Sequence, residues 1–577
     1  MTQSTDKLII WQYWENAENR TMPPYLRICS EILRHNCPSC EIRLVTPETL
    51  DQYVPDAPAL DYIRLRDPSR TPIALKADYL RVRLLHEYGG LWVDVDCIAL
   101  KDLGPIIQPL ISQHDFVALR KDRGDRSFIA NNFMASRPGG RVIGEYLETI
   151  EAHLAEKSRT DEIFDWTEIG AQMLTPIVDS HADEVHFLPE EDLHPIDFTE
   201  AELFESTNLR NDHLDRIGPH CMTVMLYHSL FSQRIKSLPE KFVLQSPTFL
   251  GELLRMNLVD HPEFAPRFMA PNGDRSAEAR DFTLSDIVII FTTVARPDSC
   301  EAFLASIREK WGPEIRICFA VQGEEEPDCR YRKMAQTHDA RVIYVDADAG
   351  LSRSRNILVA ETEEPVIFLC DDDFLATDFT RLDVALGIFN DNPDISILGG
   401  MFYNFYYSDE GEVLSENYTA FNHVFADFPA LGPATTVLMP LEYLNSDRQF
   451  VSPKYYFQYT DTVNNFCLID RSVFAVAGIR WDDDIKIMGE HEDFYMSIRA
   501  GDNGIKVAYT NAICIDHHRK STPEFLPHRQ RTEGQVKFMR NWDLERLIVP
   551  GKRADAIDFD GNLDRQTFPR WRPRLSR

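Results

Sequence analysis

The sequence predicts an α/β protein built from two Rossmann-like units in tandem, each with helices packed on a sheet of parallel strands. Three observations carry that reading. A chain of 577 residues exceeds one ordinary core, so it divides into two or three folding units. Short, wholly apolar runs alternate with helix-length segments, the pattern of strands buried on both faces. The plan of the first half, apolar strand, helical stretch, then an apolar strand ending in aspartates, recurs in the second.

Taken in order, Leu8-Ile9-Ile10-Trp11 is the first buried strand. Ala74 to Tyr88 reads as a helix, with Ala77, Leu80, Leu84 and Tyr88 on one stripe and Gly89-Gly90 placed to end it. Leu91-Trp92-Val93 is a strand that runs into Asp94-Val95-Asp96. The stretch 263–285 carries Pro266, Pro271 and Asn272-Gly273 without sustained periodicity and is read as a linker after a first domain at 1–262. In the second half Asp286 to Phe291, Arg316 to Val321 and Pro365 to Cys370 are strands, the last closing on Asp371-Asp372-Asp373. Gly489-Glu490-His491-Glu492-Asp493-Phe494 opens a helix that buries Phe494 and Ile498, and the strand Ala512-Ile513-Cys514-Ile515 leads to Asp516-His517-His518. The second domain spans 286–545. A tail at 546–577 sets Arg565, Arg570, Arg572, Arg574 and Arg577 around Phe568 and Trp571, leaving open a solvated tail or a contact with an anionic membrane or a partner.

Composition narrows the function. Hydrophobic residues at 44% and charged ones at 27% are those of a globular protein, and a net charge of −31 repels phosphate backbones, so nucleic-acid binding is excluded as a general role. No stretch reaches the roughly 18–20 apolar residues of a membrane span, and the segment from Met1 to Trp14 lacks the form of a signal peptide. The expected location is the cytoplasm, with the inner face of the membrane raised only by the tail. The 11 cysteines are scattered, and only Cys37 and Cys40 have metal or redox spacing. With no second pair, the sequence assigns them no site.

The chemistry lies in the aspartates. In open α/β sheets ligands sit beyond the carboxyl ends of strands, where Asp94 and Asp96 stand. One residue apart in an extended segment, they point the same way and can approach one cation together. Three consecutive aspartates, 371–373, repel by roughly 1 kcal/mol per close pair in water and about 4 kcal/mol at a surface dielectric, which favours a cation still more. A solvated acidic turn is the plainer alternative at each place. The acidic first turn after Gly489 also suits a helix dipole.

The run Ala77-Asp78-Tyr79-Leu80-Arg81, followed by Leu84 to Gly90 and Leu91-Trp92-Val93-Asp94-Val95-Asp96, resembles the sugar-binding DxD glycosyltransferases and the related bacterial capsular polysaccharide synthesis proteins. The likeness runs from about Leu8 to His228 and is close over 74–103. It implies a GT-A type fold, a nucleotide-sugar donor, a divalent metal on Asp94 and Asp96, and retention at the anomeric carbon. Trp11, Gln12 and Tyr13 correspond to the first strand and its nucleotide contact. Asp78 and Arg81 correspond to the pair bordering nucleotide and donor sugar, with an ordinary i,i+3 ion pair as the alternative. Asn131 and Asn132 fall where groups meet the sugar, and His228, after Tyr227, where a histidine completes the metal shell. Gly170-Ala171 replaces the Gly-Pro usual in the family's turn, which puts the acceptor side in question.

The second half, with Gly350-Leu351-Ser352-Arg353-Ser354-Arg355-Asn356, Asp371 to Asp373 and the segment from Gly489 to Phe494, resembles family-two-like inverting glycosyltransferases over about 286–520. It is most like the β-1,4-N-acetylgalactosaminyltransferases that act on gangliosides. The resemblance implies that Asp371 and Asp373 hold Mn²⁺ or Mg²⁺ and the diphosphate with Asp372 between them, and that His517 or His518 adds a metal ligand. Asp493 becomes the general base, with Glu492 as the substitute. Thr292, Thr293 and Arg296 meet the uridine, and Arg353, Arg355 and Asn356 the donor.

The function expected is a bifunctional metal-dependent glycosyltransferase, a hexosyl- or N-acetylhexosaminyltransferase. It would use UDP-sugars and extend an oligosaccharide or polysaccharide acceptor of a bacterial capsule, with one α- and one β-linkage. The alternatives are a single transferase whose other domain only binds glycan, and a scaffold of a capsule assembly complex.

Overall fold

The structure is a computed structural model that describes residues 7–548 apart from 17–20, 58–62, 68–70, 125, 161–162, 208–212, 270–278, 326–328, 409–410, 421, 428–434, 441–447, 477, 502–503 and 520–530. The basic and aromatic residues of the tail lie outside the described residues. Two compact units meet in sequence at Phe268 and Met269.

The first unit contains strands β1 (Leu8–Tyr13), β2 (Cys40–Val45), β3 (Gly90–Val93), β4 (Cys97–Ala99), β5 (Phe116–Arg123), β6 (Arg126–Ser136), β7 (Val185–Leu188) and β8 (Thr223–Met225). Its main helices are α1 (Pro24–Asn36), α2 (Ile73–Tyr88), α3 (Gly104–Gln113), α4 (Arg141–Thr160) and α5 (Ala171–Ser180). The sheet runs β2-β1-β3-β6-β5-β7. β1 is parallel to β2 and β3, whereas β6 is antiparallel to both β3 and β5, so the all-parallel expectation is corrected to a mixed sheet. The tight β5–β6 hairpin around Gly124 forces that antiparallel pair.

Both faces of this sheet are covered. Trp11, Tyr79, Leu80, Leu84, Trp92 and Tyr146 pack on one side, and Ile10, Leu91, Val93, Ile107 and Phe133 on the other. That double burial explains why β3 is apolar throughout. Gly89 and Gly90 (φ 66° and 102°) turn the chain from α2 into β3, and a Cβ on Gly90 would lie 2.4 Å from the Ile9 carbonyl oxygen. Only glycine lets β3 settle against β1 there.

The second unit has strands β9 (Ile287–Thr293), β10 (Arg316–Gln322), β11 (Arg341–Val345), β12 (Val366–Leu369), β13 (Phe374–Leu375), β14 (Ile395–Tyr407), β15 (Val413–Ala420), β16 (His423–Asp427), β17 (Thr435–Pro440), β18 (Gln449–Phe450), β19 (Tyr456–Thr460), β20 (Cys467–Asp470), β21 (Lys506–Arg519) and β22 (Arg546–Ile548). Its helices are α6 (Pro297–Trp311), α7 (Arg330–Thr337), α8 (Gly350–Ala360), α9 (Leu382–Asp391), α10 (Glu490–Ala500) and α11 (Glu533–Asn541). The large sheet runs β11-β10-β9-β12-β20-β14-β21-β19-β18. Its first four strands are parallel, and β20 is antiparallel to its neighbours β12 and β14, so this sheet is mixed as well. Phe291, Phe303, Phe319, Phe368, Phe466 and Ile513 share its core, each worth roughly 1.5–3 kcal/mol of apolar burial.

The stretch expected as a linker, 263–285, is described at its two ends. Phe264 and Phe268 are buried at the end of the first unit, while Arg280 donates to the Ile395 and Pro393 carbonyls of the second. Among the described residues no helix is long and apolar enough to cross a membrane.

Candidate functional site

In each unit a central strand has neighbours that follow it in sequence on both sides: β1 lies between β2 and β3, and β9 between β10 and β12. The carboxyl ends at such a switch point form the crevice where open α/β sheets take ligands. The aspartates sit there, directly after β3 and β12.

In the first unit Arg81 organises the crevice. Its buried guanidinium lies 3.1 Å from Asp78, 3.3 Å from Asp94, donates to the Asn131 carbonyl and rests 4.9 Å from the centroid of the Trp92 ring. It thereby ties α2 to β3 and β6. Asn131 Nδ2 donates to Asp78 (2.8 Å), and the Trp92 indole donates to Asp94 (2.7 Å). Asp78 is pushed up to about 6, chiefly by burial, with Arg81 opposing. Asp96 is pushed up to about 6 by burial, reinforced by the charge of Asp94.

The two aspartates do not lie in one extended segment. The chain turns at Asp94, whose carbonyl accepts from the Cys97 N–H. Asp94 then faces Arg81, and Asp96 accepts from the main-chain N–H of His228 (2.6 Å). The His228 ring hydrogen-bonds Tyr25 through Nδ1 and packs near Trp14. Trp11 is not presented to a ligand: it is fully buried, donates to the Gly89 carbonyl (2.9 Å) and packs against Tyr53 and Tyr88. Tyr13, on the same face, donates to Glu15 (2.5 Å), which also holds Lys76 (2.8 Å). Gln12 points the other way, its Nε2 donating to the Asp94 carbonyl at 3.4 Å. Gln12 Oε1 and Asn132 Oδ1, oxygens of the kind hard cations take, are buried without a hydrogen-bond partner in residues that meet the Asp94 main chain. Asn132 also accepts the Asp94 N–H through its carbonyl.

Sequence reasoning missed Lys121. It is buried on β5 with its ammonium 3.2 Å from Glu190, 3.6 Å from Asp197 and 3.2 Å from the Tyr227 hydroxyl, and burial lowers its pKa. An isolated lysine in an alternating strand gave no signal.

In the second unit Thr292 and Thr293 are buried at the end of β9, and Arg296 follows with its guanidinium forked over Asp372 and Asp373, the latter at 2.8 Å. Arg296 therefore braces the aspartates, where a uridine contact was expected. Asp372 is wholly buried and pushed up to about 7 by that burial. Asp371 keeps 29% side-chain exposure and lies 3.5 Å from Arg355, which is 3.7 Å from Glu490; burial raises both carboxylates. Glu490 lies in the segment that drew attention to Asp493, yet its own role was missed.

His517 and His518 alternate across β21. His517 Nδ1 bonds Asn404 Oδ1 at 2.7 Å, and its Nε2 lies 3.5 Å from Asp373. Asn404 Nδ2 is committed to Asn417 and Thr419, so its oxygen accepts from Nδ1–H and Nε2 is the nitrogen turned toward Asp373. His518 points to the opposite face, stacked on Phe405 and bonded to Tyr407, which removes it from the metal set.

Two further expectations change. Arg353 is half exposed and pairs at 3.6 Å with Asp346, away from the aspartates. Asn356 donates to the Trp481 carbonyl (2.8 Å) and Asp483 (2.6 Å), fastening α8 to a loop. Asp493 is buried and accepts from Asn541 (2.9 Å) and Trp542 (2.8 Å), so α11 orients it. Glu492 is partly exposed on α10. Among the described residues neither carboxylate site gathers three His, Cys, Asp or Glu ligand atoms within 4.8 Å. Two carboxylates with the remaining positions left to water and phosphate suit Mg²⁺ or Mn²⁺.

Residues 1–199 match the family described as capsular polysaccharide synthesis protein. No curated protein sequence matches the chain. Among solved structures, S. aureus TarS 1–349 in complex with UDP is 12% identical with a TM-score of 0.29, covering 44% of this chain and 63% of its own. GalNAc-T7 with UDP, GalNAc and Mn²⁺ is 11% identical with a TM-score of 0.33, covering 49% and 51%. The chain spans less than two thirds of either, and at these scores the likenesses carry no functional weight.

Proposed function

We propose that the chain is a bifunctional glycosyltransferase that takes UDP-sugars to a growing capsular or related glycan, one unit making an α-linkage and the other a β-linkage. The observation that carries this reading is the repeat of one arrangement. In each unit, carboxylates at the carboxyl end of a strand beside the switch point are braced by a buried arginine, Arg81 in one and Arg296 with Arg355 in the other. The match of residues 1–199 to a capsule synthesis family supports it.

Asp94 and Asp96, with Gln12 and Asn132 oxygens close by, would hold a divalent cation in the first unit; Asp371, Asp373 and His517 would hold one in the second. Bound there, Mn²⁺ or Mg²⁺ supplies the positive charge that offsets the negative charge developing on a departing diphosphate. The chain's own residues do the rest. Arg81, Arg296 and Arg355 keep the aspartates from spreading apart. Asp493 receives the acceptor hydroxyl proton, with Glu492 as the substitute, and attack opposite the leaving group inverts the anomeric centre. Retention in the first unit rests mostly on the resemblance of its DxD segment to the sugar-binding DxD glycosyltransferases.

The test is UDP release from a panel of UDP-sugars with Mn²⁺ or EDTA, using Asp94→Asn/Asp96→Asn and Asp371→Asn/Asp373→Asn as separate double variants. Each is expected to lose one transfer and keep the other. If either pair abolishes both transfers while the circular dichroism is unchanged, two independent sites are excluded.

A further inference from the structure

Cys37 and Cys40 carry no site by spacing alone, but the fold adds a third group. Cys37 caps the carboxyl end of α1, Cys40 opens β2, and Asp102 lies in the loop before α3. Their ligand atoms all lie within 4.8 Å of one another, the only such group of His, Cys, Asp and Glu among the described residues. The turn that brings the thiols together is closed by a hydrogen bond from the Cys40 N–H to the Cys37 carbonyl (3.0 Å).

The surroundings are arranged as a ligand shell would be. Asp102 is oriented by Ser39 Oγ (2.6 Å), the Ser39 N–H (3.3 Å) and the Gly104 N–H (3.2 Å), so its carboxylate is fixed beside Cys40 Sγ at 3.8 Å. Ligating carboxylates are held in this way by outer hydrogen bonds. Among the described residues no lysine, arginine or histidine pairs with Asp102, leaving its charge without a countercharge. The Cys37 thiol donates to the Lys101 carbonyl oxygen at 3.4 Å and the Cys40 thiol to Asp102, so both thiol protons point at oxygens and are the ones a bound cation would displace. Space is tight: a Cβ on Gly104 would lie 2.1 Å from Ser39 Oγ and 3.1 Å from Cys40 Sγ. Both cysteines are buried, at 1% and 7% exposure, as in closed structural sites.

We infer that Cys37, Cys40 and Asp102 form a structural site for a thiophilic divalent cation of the zinc class, which fastens α1, β2 and the loop before α3. Binding releases the two thiol protons to solvent and places two thiolates and a carboxylate on the ion. The site is independent of the carboxylate crevices, whose oxygen donors suit harder ions.

The test uses the full chain, reduced and stripped of metal, titrated with Cd²⁺ alone. A thiolate-to-metal ultraviolet band is expected to saturate at one equivalent, to vanish in Cys37→Ser and in Cys40→Ser, and to persist in Cys329→Ser and Asp94→Asn/Asp96→Asn. Asp102→Asn is expected to weaken binding about 10–100-fold, the scale seen when a metal shell is disturbed. Zn²⁺ should raise the Tm of the unsubstituted chain without affecting either cysteine variant, a readout that needs no folded variant for the first half of the comparison. No band in the reduced folded chain, a band that survives both cysteine substitutions, unchanged affinity in Asp102→Asn, or a Cys37–Cys40 disulfide that persists after reduction would each overturn the proposal.

Discussion

Single residues decide which side chains meet a ligand. His517 and His518 are neighbours in sequence, but strand alternation sends one toward Asp373 and the other onto Phe405. Asn404→Leu, which frees the His517 ring to turn, is expected to lower the apparent Mn²⁺ affinity of the second transfer about 10–100-fold. His517→Ala should lower it further and His518→Phe should leave it unchanged; equal losses for the two histidines would refute the assignment. Asp78 makes a second prediction. Its folded pKa of about 6 lies above the unfolded value of about 3.9, so the folded chain keeps a proton that the unfolded chain releases. The group's contribution to stability is therefore fullest below pH 4 and declines as pH rises to about 6. Relative to Asp78→Asn, the unsubstituted chain should lose up to about 3 kcal/mol between pH 4 and 7 in denaturant unfolding; a flat difference across that range would contradict it. The sequence exposed both histidines and Asp78 but not their directions, because facing depends on register and on partners such as Asn404, Tyr407 and Asn131 that are remote along the chain.

Elements were easier to read than residues. The helix ending at Gly89-Gly90, the strand before Asp94 and the strand before Asp371 all stand where apolar runs and glycines put them, since those signals are local. Strand direction was not legible, because the antiparallel partners β6 and β20 are chosen by tertiary pairing that local hydrophobicity does not encode. Helix α11 had no chemical signature, yet with the following Trp542 it supplies the donors that hold Asp493. Trp542→Phe keeps the packing and removes one N–H donor to a carboxylate, a loss of about 1.5–3 kcal/mol. With the ionised form less favoured, the acidic limb of the pH–rate profile for the second transfer is expected to move to higher pH. A limb that stays in place would show that Asp493 is not the group being titrated.

At the scale of the whole molecule, the duplication seen in the sequence corresponds to two compact units, each with its crevice at the switch point of its sheet. A chain of charge −31 can still accept an anionic donor if cations bound among the aspartates reverse the field locally. The second unit adds a mechanical point. Strand β12 ends at Leu369 and β13 begins at Phe374, and both are hydrogen-bonded into the sheet, β13 directly opposite Asp516 and His517. Asp371 to Asp373 thus span a short hoop pinned at either end. Such a hoop works as a gauge: it admits a guest whose dimensions already match the gap, and turns away others because it has no slack with which to mould itself around them.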